Sequence, residues 1–161
     1  MPDHSHLELI RLKLQQQGYV EIPSVGYSMY PVIRTGDLCK FVPIKRSRLT
    51  PGRIVLFADT EGRLIGHRLL RVENRSGAPR FICKGDTNLY PDDPVGMWQM
   101  LGELVLIMRR KSNGKVKTIP VNTLKGAIWG IVVRRLKGLS YVLRRIAAMD
   151  SASRVQLAQK Q

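Results

Sequence analysis

The sequence predicts a mainly β protein: a core of antiparallel strands, a short helix before it, and a basic amphipathic helix or helices after it. Three observations carry that expectation. Between Tyr19 and Ile119 the apolar residues fall in short β-rich runs, turn residues separate those runs, and no long helical pattern interrupts them. Several short strands without intervening helices argue for hairpins rather than strand-helix-strand units.

Leu7, Ile10 and Leu14 are three and four apart, so residues 7–17 suit a short helix. The predicted strands follow at Tyr19–Ile22, Leu38–Val42, Ile54–Phe57, Leu64–Val72, Arg80–Lys84, Leu101–Met108 and Lys115–Ile119. Glu61-Gly62, Ser76-Gly77 and Asn113-Gly114 lie between neighbouring runs, and the last pair predicts a type I′ hairpin turn. Beyond Pro120, Ile128, Val132, Leu136, Leu139, Leu143 and Ile146 recur at steps of three and four, which predicts one apolar helix face. Arg134, Lys137, Arg144 and Arg145 would project from the other side, with Arg135 at the edge of the stripe. Gly130 and Gly138 each weaken a helix by roughly 1 kcal/mol relative to alanine, so a break into two helices is expected. The chain divides accordingly into a helical segment 1–18, a β-rich domain 19–119 and a helical tail 120–161.

A length of 161 residues suits one domain with one core, and the ordinary apolar and charged fractions exclude disorder and low-complexity classes. The unusual quantity is charge. Residues 1–108 carry 14 basic and 11 acidic side chains (+3), whereas residues 109–161 carry 13 basic and one acidic (+12). Basicity belongs to the tail. Cys39 and Cys83 are too few for a disulfide framework and lack metal-ligand spacing, so they are expected as buried thiols, with no metal and no cofactor. The N-terminus has acids and histidines where a secretory signal needs a basic start and an apolar stretch, and the longest apolar run, Gly126 to Val133, is far short of the roughly 20 residues of a membrane span. A cytoplasmic or peripheral-membrane location is expected.

Three segments inside the β region carry side chains suited to chemistry: Gly26-Tyr27-Ser28-Met29-Tyr30-Pro31 with Gly36-Asp37, then Gly66-His67-Arg68, then Lys84-Gly85-Asp86-Thr87-Asn88 through Asp92-Asp93. A serine nucleophile needs a base to take its proton, a neutral imidazole can do so at pH 7, and a carboxylate can hold the imidazole in one tautomer. Composition alone is weak support. Ser28 also suits a turn, His67 a satisfied core histidine, and Asp86 and Asp92 loop caps.

The order of the three segments resembles the type I signal peptidases and their signal-peptidase-like relatives. Ser28-Met29, Pro31 and Gly36-Asp37 are similar to the family's first motif. His67-Arg68, 39 residues after Ser28, is similar to the His-Arg of the endoplasmic-reticulum and archaeal type, where most bacterial members have lysine. Lys84-Gly85-Asp86-Thr87-Asn88 followed by Asp92-Asp93 resembles the last motif, and Pro51 to Phe57 resembles the intervening strand. The resemblance spans roughly residues 20–108, and three ordered motifs are more specific than any one of them.

The resemblance implies Ser28 as nucleophile, His67 as general base and Asp92 as orienting carboxylate, with Asp93 the alternative. It implies that the Ser28 backbone N–H meets the oxyanion. Some bacterial members add a hydroxyl two residues before the nucleophile, but Gly26 stands there, and one donor is typically worth about 3 kcal/mol of the barrier. Lys84, Asp86 and Asn88 would shape the loop that presents the aspartate, with Gly26, Met29, Pro31, Gly36, Asp37, Arg68 and Gly85 in supporting places. Histidine, with a reference pKa near 6.5, needs almost no shift to act as base, whereas lysine must be driven far down. The rate is therefore expected to rise through the ordinary imidazole range.

The implied function is a serine endopeptidase that cuts an extended precursor peptide after small residues, as in signal-peptide processing, with the peptide added to a strand edge. An inactive peptide-binding relative is the competing class. Self-cleaving repressor-like peptidases share similar motifs but use lysine and carry a DNA-binding domain. Where the family has an N-terminal membrane span, this chain has a short polar helix, so its basic tail, residues 126–149, is a candidate for an anionic membrane surface, where each Lys or Arg contributes about 1 kcal/mol. Packing of the tail's apolar stripe on the β domain is the equal alternative, and specific nucleic-acid binding is not expected because no such motif accompanies the charge. The sequence leaves the oligomeric state open.

Overall fold

The computed structural model describes residues 5–158 apart from positions 46, 48, 76 and 137. Strand outweighs helix, and one antiparallel sheet curls into a half-barrel. Its elements in chain order are α1 (Ser5–Gln17), β1 (Val20–Pro23), β2 (Leu38–Pro43), β3 (Ile54–Ala58), β4 (Leu64–Arg75), β5 (Ala78–Lys84), β6 (Val95–Gly96), β7 (Met100–Arg110), β8 (Val116–Pro120), α2 (Leu124–Arg135) and α3 (Leu139–Ala158). The predicted strands all form, within three residues at each end. The two-residue β6 and the 3-10 turn Met97–Gln99 were not predicted, because two residues carry no periodicity.

The strands pair in the order β1-β2-β7-β3-β4-β5-β6, with β8 also on β7. β2 lines one edge of β7, while β3 and β8 share the other: Glu103 faces Val55, and Ile107 faces Ile119. Strand β3 is buried along its whole length. Its alternate side chains serve two cores: Ile54, Leu56 and Ala58 join α1 and β7, whereas Val55 and Phe57 join Leu69, Phe81 and Cys83. Burial on both faces is why its sequence is a continuous apolar run rather than an alternating one. Helix α1 covers the first core with Leu7, Ile10 and Leu14, the stripe that its spacing predicts.

Two expectations need correction. In the β7–β8 hairpin, Gly114 N–H donates to the Lys111 carbonyl (3.0 Å) and Lys111 N–H to the Lys115 carbonyl (2.8 Å). Ser112, Asn113 and Gly114 thus form a three-residue loop with Gly114 left-handed at φ 76°, not a two-residue type I′ turn. The second concerns the tail. It breaks into two helices between Arg135 and Leu139, at Gly138 and not at Gly130. Of the predicted stripe only Leu143 is buried, while Ile128, Leu136 and Ile146 are exposed. The packed residues are Gly130 and Val133 on α2 and Ser140, Leu143 and Ala147 on α3, so α2 docks through a different face from the predicted one and α3 keeps only Leu143 of it. Ser76 and Lys137 lie outside the described residues. No helix among the described residues is long and apolar enough to cross a membrane.

Cys39 and Cys83 are free and buried in the two cores. Burial pushes both thiols up to about 12, helped by the negative charge of Asp37 at Cys39 and of Asp92 at Cys83. The thiolate is the reactive form, and at pH 8 it is about one part in ten thousand of such a thiol. Ellman's reagent at pH 8 should therefore find no fast-reacting thiol in the folded protein and two in denaturant. A fast thiol in the native state would contradict the packing.

Candidate active site

The loop between β1 and β2 carries Ser28 and is closed at its base. Ser24 N–H donates to the Asp37 carbonyl (2.8 Å), and Gly36 N–H donates to the Ser24 carbonyl (3.0 Å). The Asp37 carboxylate, itself buried, accepts from Arg34 N–H (2.8 Å) and from the Arg109 guanidinium at 2.8 and 2.6 Å. The Gly-Asp pair thus anchors the loop to β7. Gly26 and Gly36 adopt φ of 84° and 86°, a region that disfavours other residues, and Thr35 Oγ donates to the Gly26 carbonyl (2.7 Å). Met29 plugs into the first core, and Pro31 follows a cis peptide bond. Between these anchors Ser28 is half-buried with its hydroxyl turned toward β4.

On β4, successive side chains leave on opposite faces, so the neighbours His67 and Arg68 serve different partners. His67 lies opposite Val55, with the edge of Phe57 against its ring at 6.4 Å between centroids. Its Nε2 is 3.0 Å from Ser28 Oγ, and its Nδ1 is 2.7 Å from Asp92 Oδ2. A carboxylate only accepts, so Nδ1 carries the proton toward Asp92, and Nε2 of the neutral ring accepts from the Ser28 hydroxyl. Asp92 is held where Pro91 leads the chain back beside β5, its N–H donating to the Cys83 carbonyl (2.8 Å). Asp93 is exposed, and it is Asp92 that reaches His67.

Arg68 turns the other way. Its Nε and Nη2 donate to the two oxygens of Asp86, both at 2.8 Å, and Nη1 donates to the Gly52 carbonyl (2.7 Å). Both partners are essentially buried, at 2% and 1% exposure. Asp86 also accepts from the Trp129 indole (3.1 Å), which brings α2 onto the same carboxylate. At Gly85 a Cβ would stand 2.8 Å from the Ser28 carbonyl, so only glycine lets this loop approach the serine. Thr87 N–H donates to that carbonyl (2.9 Å). Lys84 donates to the Asn88 carbonyl (3.0 Å) and to Ser140 of α3 (2.9 Å), and desolvation holds its pKa below the ordinary lysine value despite the opposing pull of Asp86.

An apolar cleft of about 250 Å³ runs along β1 with Ser28 and His67 on its rim. Met29, Ile33, Phe41, Leu56 and Ile65 are among its lining residues. An imidazole held between an alcohol and a carboxylate beside such a cleft can deprotonate the alcohol and stabilise the resulting charge on the ring. No protein-family model matches the chain, and no curated protein matches it.

The structure brings together Ser28, His67 and Asp92, and it places Gly26, Met29, Pro31, Gly36, Asp37, Gly85, Asp86 and Asn88 in the surrounding loops, Arg68 on β4 and Lys84 at the end of β5. Sequence reasoning missed Gly52, Thr87, Arg109, Trp129, Gly130 and Ser140. Trp129 and Gly130 stand on a helix expected to pack through a different stripe, and the close approach of Gly130 to Gly52 and Arg68 (each 3.3 Å from a built Cβ) explains a glycine at that position of α2.

Removing one member of a buried ion pair leaves the other charged and unpaired, which costs about 3–5 kcal/mol. Asp86→Ala should lose about that much in urea unfolding. The double variant Arg68→Met/Asp86→Leu should lose less, and equal losses would show that the pair's charges are not what the loop depends on.

Proposed function

We propose that the chain is a serine endopeptidase that hydrolyses a bond in an extended peptide, with Ser28 as nucleophile, His67 as general base and acid, and Asp92 as orienting carboxylate. The observation that carries this reading is the unbroken Ser28–His67–Asp92 hydrogen-bond chain, assembled from three segments far apart in sequence. The ordered motifs that resemble the His-type signal peptidases support it independently. Ser28 Oγ attacks the carbonyl carbon while its proton passes to His67 Nε2. The imidazolium, stabilised by Asp92, then protonates the leaving amine, and water repeats the cycle on the acyl-enzyme. The Ser28 N–H is the main donor available to the oxyanion from this loop, since Gly26 supplies no hydroxyl. Selection of small side chains at the cut rests on the resemblance, and the narrow apolar cleft is compatible with it.

A peptide library digested with the wild type should give cuts that Ser28→Ala and His67→Ala abolish. Asp92→Asn should lower the rate by about 10⁴-fold through the wrong imidazole tautomer, while Asp93→Asn stays near wild type. Indistinguishable digestion by wild type and Ser28→Ala would sink the reading. Tight binding of peptides without any cutting would favour an inactive peptide-binding relative.

The tail's outward face supports contact with an anionic membrane surface as its placement. Leu124, Ile128 and Ile131 on α2, and Val142, Ile146 and Met149 on α3, each recur at i, i+4 and i+7 and are exposed. Lys125, Arg135 and Arg145 are exposed on the same helices, and no acidic residue occurs between Glu103 and Asp150. The protein should co-sediment with phosphatidylglycerol-containing vesicles but not with phosphatidylcholine vesicles, and Ile128→Glu/Ile131→Glu should weaken that binding. Equal partitioning of both proteins, or onto both lipids, would remove the idea.

A further inference from the structure

A second depression, of about 270 Å³, adjoins Ser28 and shares only Gly26 and Ser28 with the apolar cleft. It is lined by Gly26, Tyr27, Ser28, Thr87, Asn88 and, from the tail, Arg144. From this we infer that Arg144 forms a carboxylate-recognising subsite next to Ser28, which selects substrates carrying an acidic group on that side of the scissile bond. The inference rests on the peptidase reading of Ser28 and adds to it the charge of the substrate.

The position of Arg144 follows from how α3 is docked. Ser140, Leu143 and Ala147 are the buried residues of that helix, and Ser140 accepts from Lys84 at 2.9 Å. Arg144 stands four residues after Ser140, one turn on along the same side and at the edge of the packed face. Lys84 also donates to the carbonyl of Asn88, which lines the depression. One lysine therefore ties the floor of the depression to the helix that supplies its cation.

The charge balance of the depression is one-sided. No acidic residue lines it. Among the described residues Arg144 has no carboxylate partner, and the nearest acid in the loop sequence, Asp86, is already engaged by Arg68 and Trp129. Arginine offers a planar fork matched to a carboxylate, and Thr87 and Asn88 add neutral polar groups beside it. No aspartate, glutamate, lysine or arginine lines the apolar cleft, so a peptide lying across Ser28 meets apolar surface in one depression and a guanidinium in the other. With about 3.3 Å per extended residue, the acidic group falls within the first few residues from the cut. A side-chain carboxylate and a free C-terminal carboxylate share this chemistry.

The test uses the full chain with Ser28→Ala, so that binding is read without turnover. The probes are fluorescent peptides with small apolar residues in one half and Asp, Asn or Lys at successive positions of the other, each as C-terminal acid and amide. At low salt the Asp peptides should bind about fivefold more tightly than the Asn peptides, a preference that fades as salt rises. Arg144→Gln should erase the preference, and Arg144→Glu should turn it toward Lys. If only the free-acid peptides are preferred, the ligand is the C-terminal carboxylate; if amides with Asp are preferred as well, it is the side chain. Equal affinity for Asp, Asn and Lys peptides, or a preference that survives Arg144→Gln, would overturn the subsite. Peptides that bind with the Arg144-dependent preference but are not cut by the Ser28 protein would leave the subsite standing and remove the endopeptidase reading, whereas no binding of any peptide would remove both.

Discussion

The buried pair between Arg68 and Asp86 is the constraint on which the rest of the site depends. An arginine and a carboxylate both removed from water are tolerable only if the charged groups find partners, and here two parallel bonds join them while the Gly52 carbonyl accepts from Arg68 and the Trp129 indole donates to Asp86. That satisfaction has a geometric result. Arg68 is next to His67 on β4, and Asp86 is in the loop whose glycine and threonine approach the Ser28 carbonyl, so one ion pair sets β4 against the serine loop.

The same pair makes the helical tail part of the site. Its +12 charge left surface contact and packing on the β domain as equal alternatives, and the helices do pack: α2 brings Trp129 to Asp86, and α3 brings Ser140 to Lys84. Packing is close where it matters: a side chain at Gly130 would press on both Gly52 and Arg68. The outward faces of α2 and α3 remain apolar and basic. One pair of helices therefore has an inward face that supports the loop around Asp86 and an outward face that is exposed.

Within the loops, the polar groups around Ser28 are anchored to the scaffold, and its hydroxyl is left to His67. Asp37 is saturated by Arg109 and the Arg34 N–H, and Thr87 holds the Ser28 carbonyl, whereas the Ser28 hydroxyl has His67 as its partner. Hydrogen bonds to the backbone around Ser28 hold its hydroxyl 3.0 Å from the His67 imidazole.

Much of this was legible in the residues. The strands followed from short apolar runs and their glycine turns, because the period of two and the turn chemistry are local properties. Ser28, His67 and Asp86 stood in ordered motifs, but whether Asp92 or Asp93 turns toward His67 was not, since adjacent residues differ only in the direction their side chains take from a backbone fixed by the Cys83 carbonyl. The tail's packed face was misjudged because apolar spacing marks a possible face and not the docked one: α2 turns Gly130 and Val133 inward and leaves Ile128 exposed. By itself, then, the sequence determined the class of fold, the strand positions and the residue types available for chemistry. Tertiary structure alone decided which carboxylate completes the chain, that Trp129 and Ser140 brace it, and that Arg144 stands beside Ser28, because these depend on contacts between segments whose separation no local pattern records.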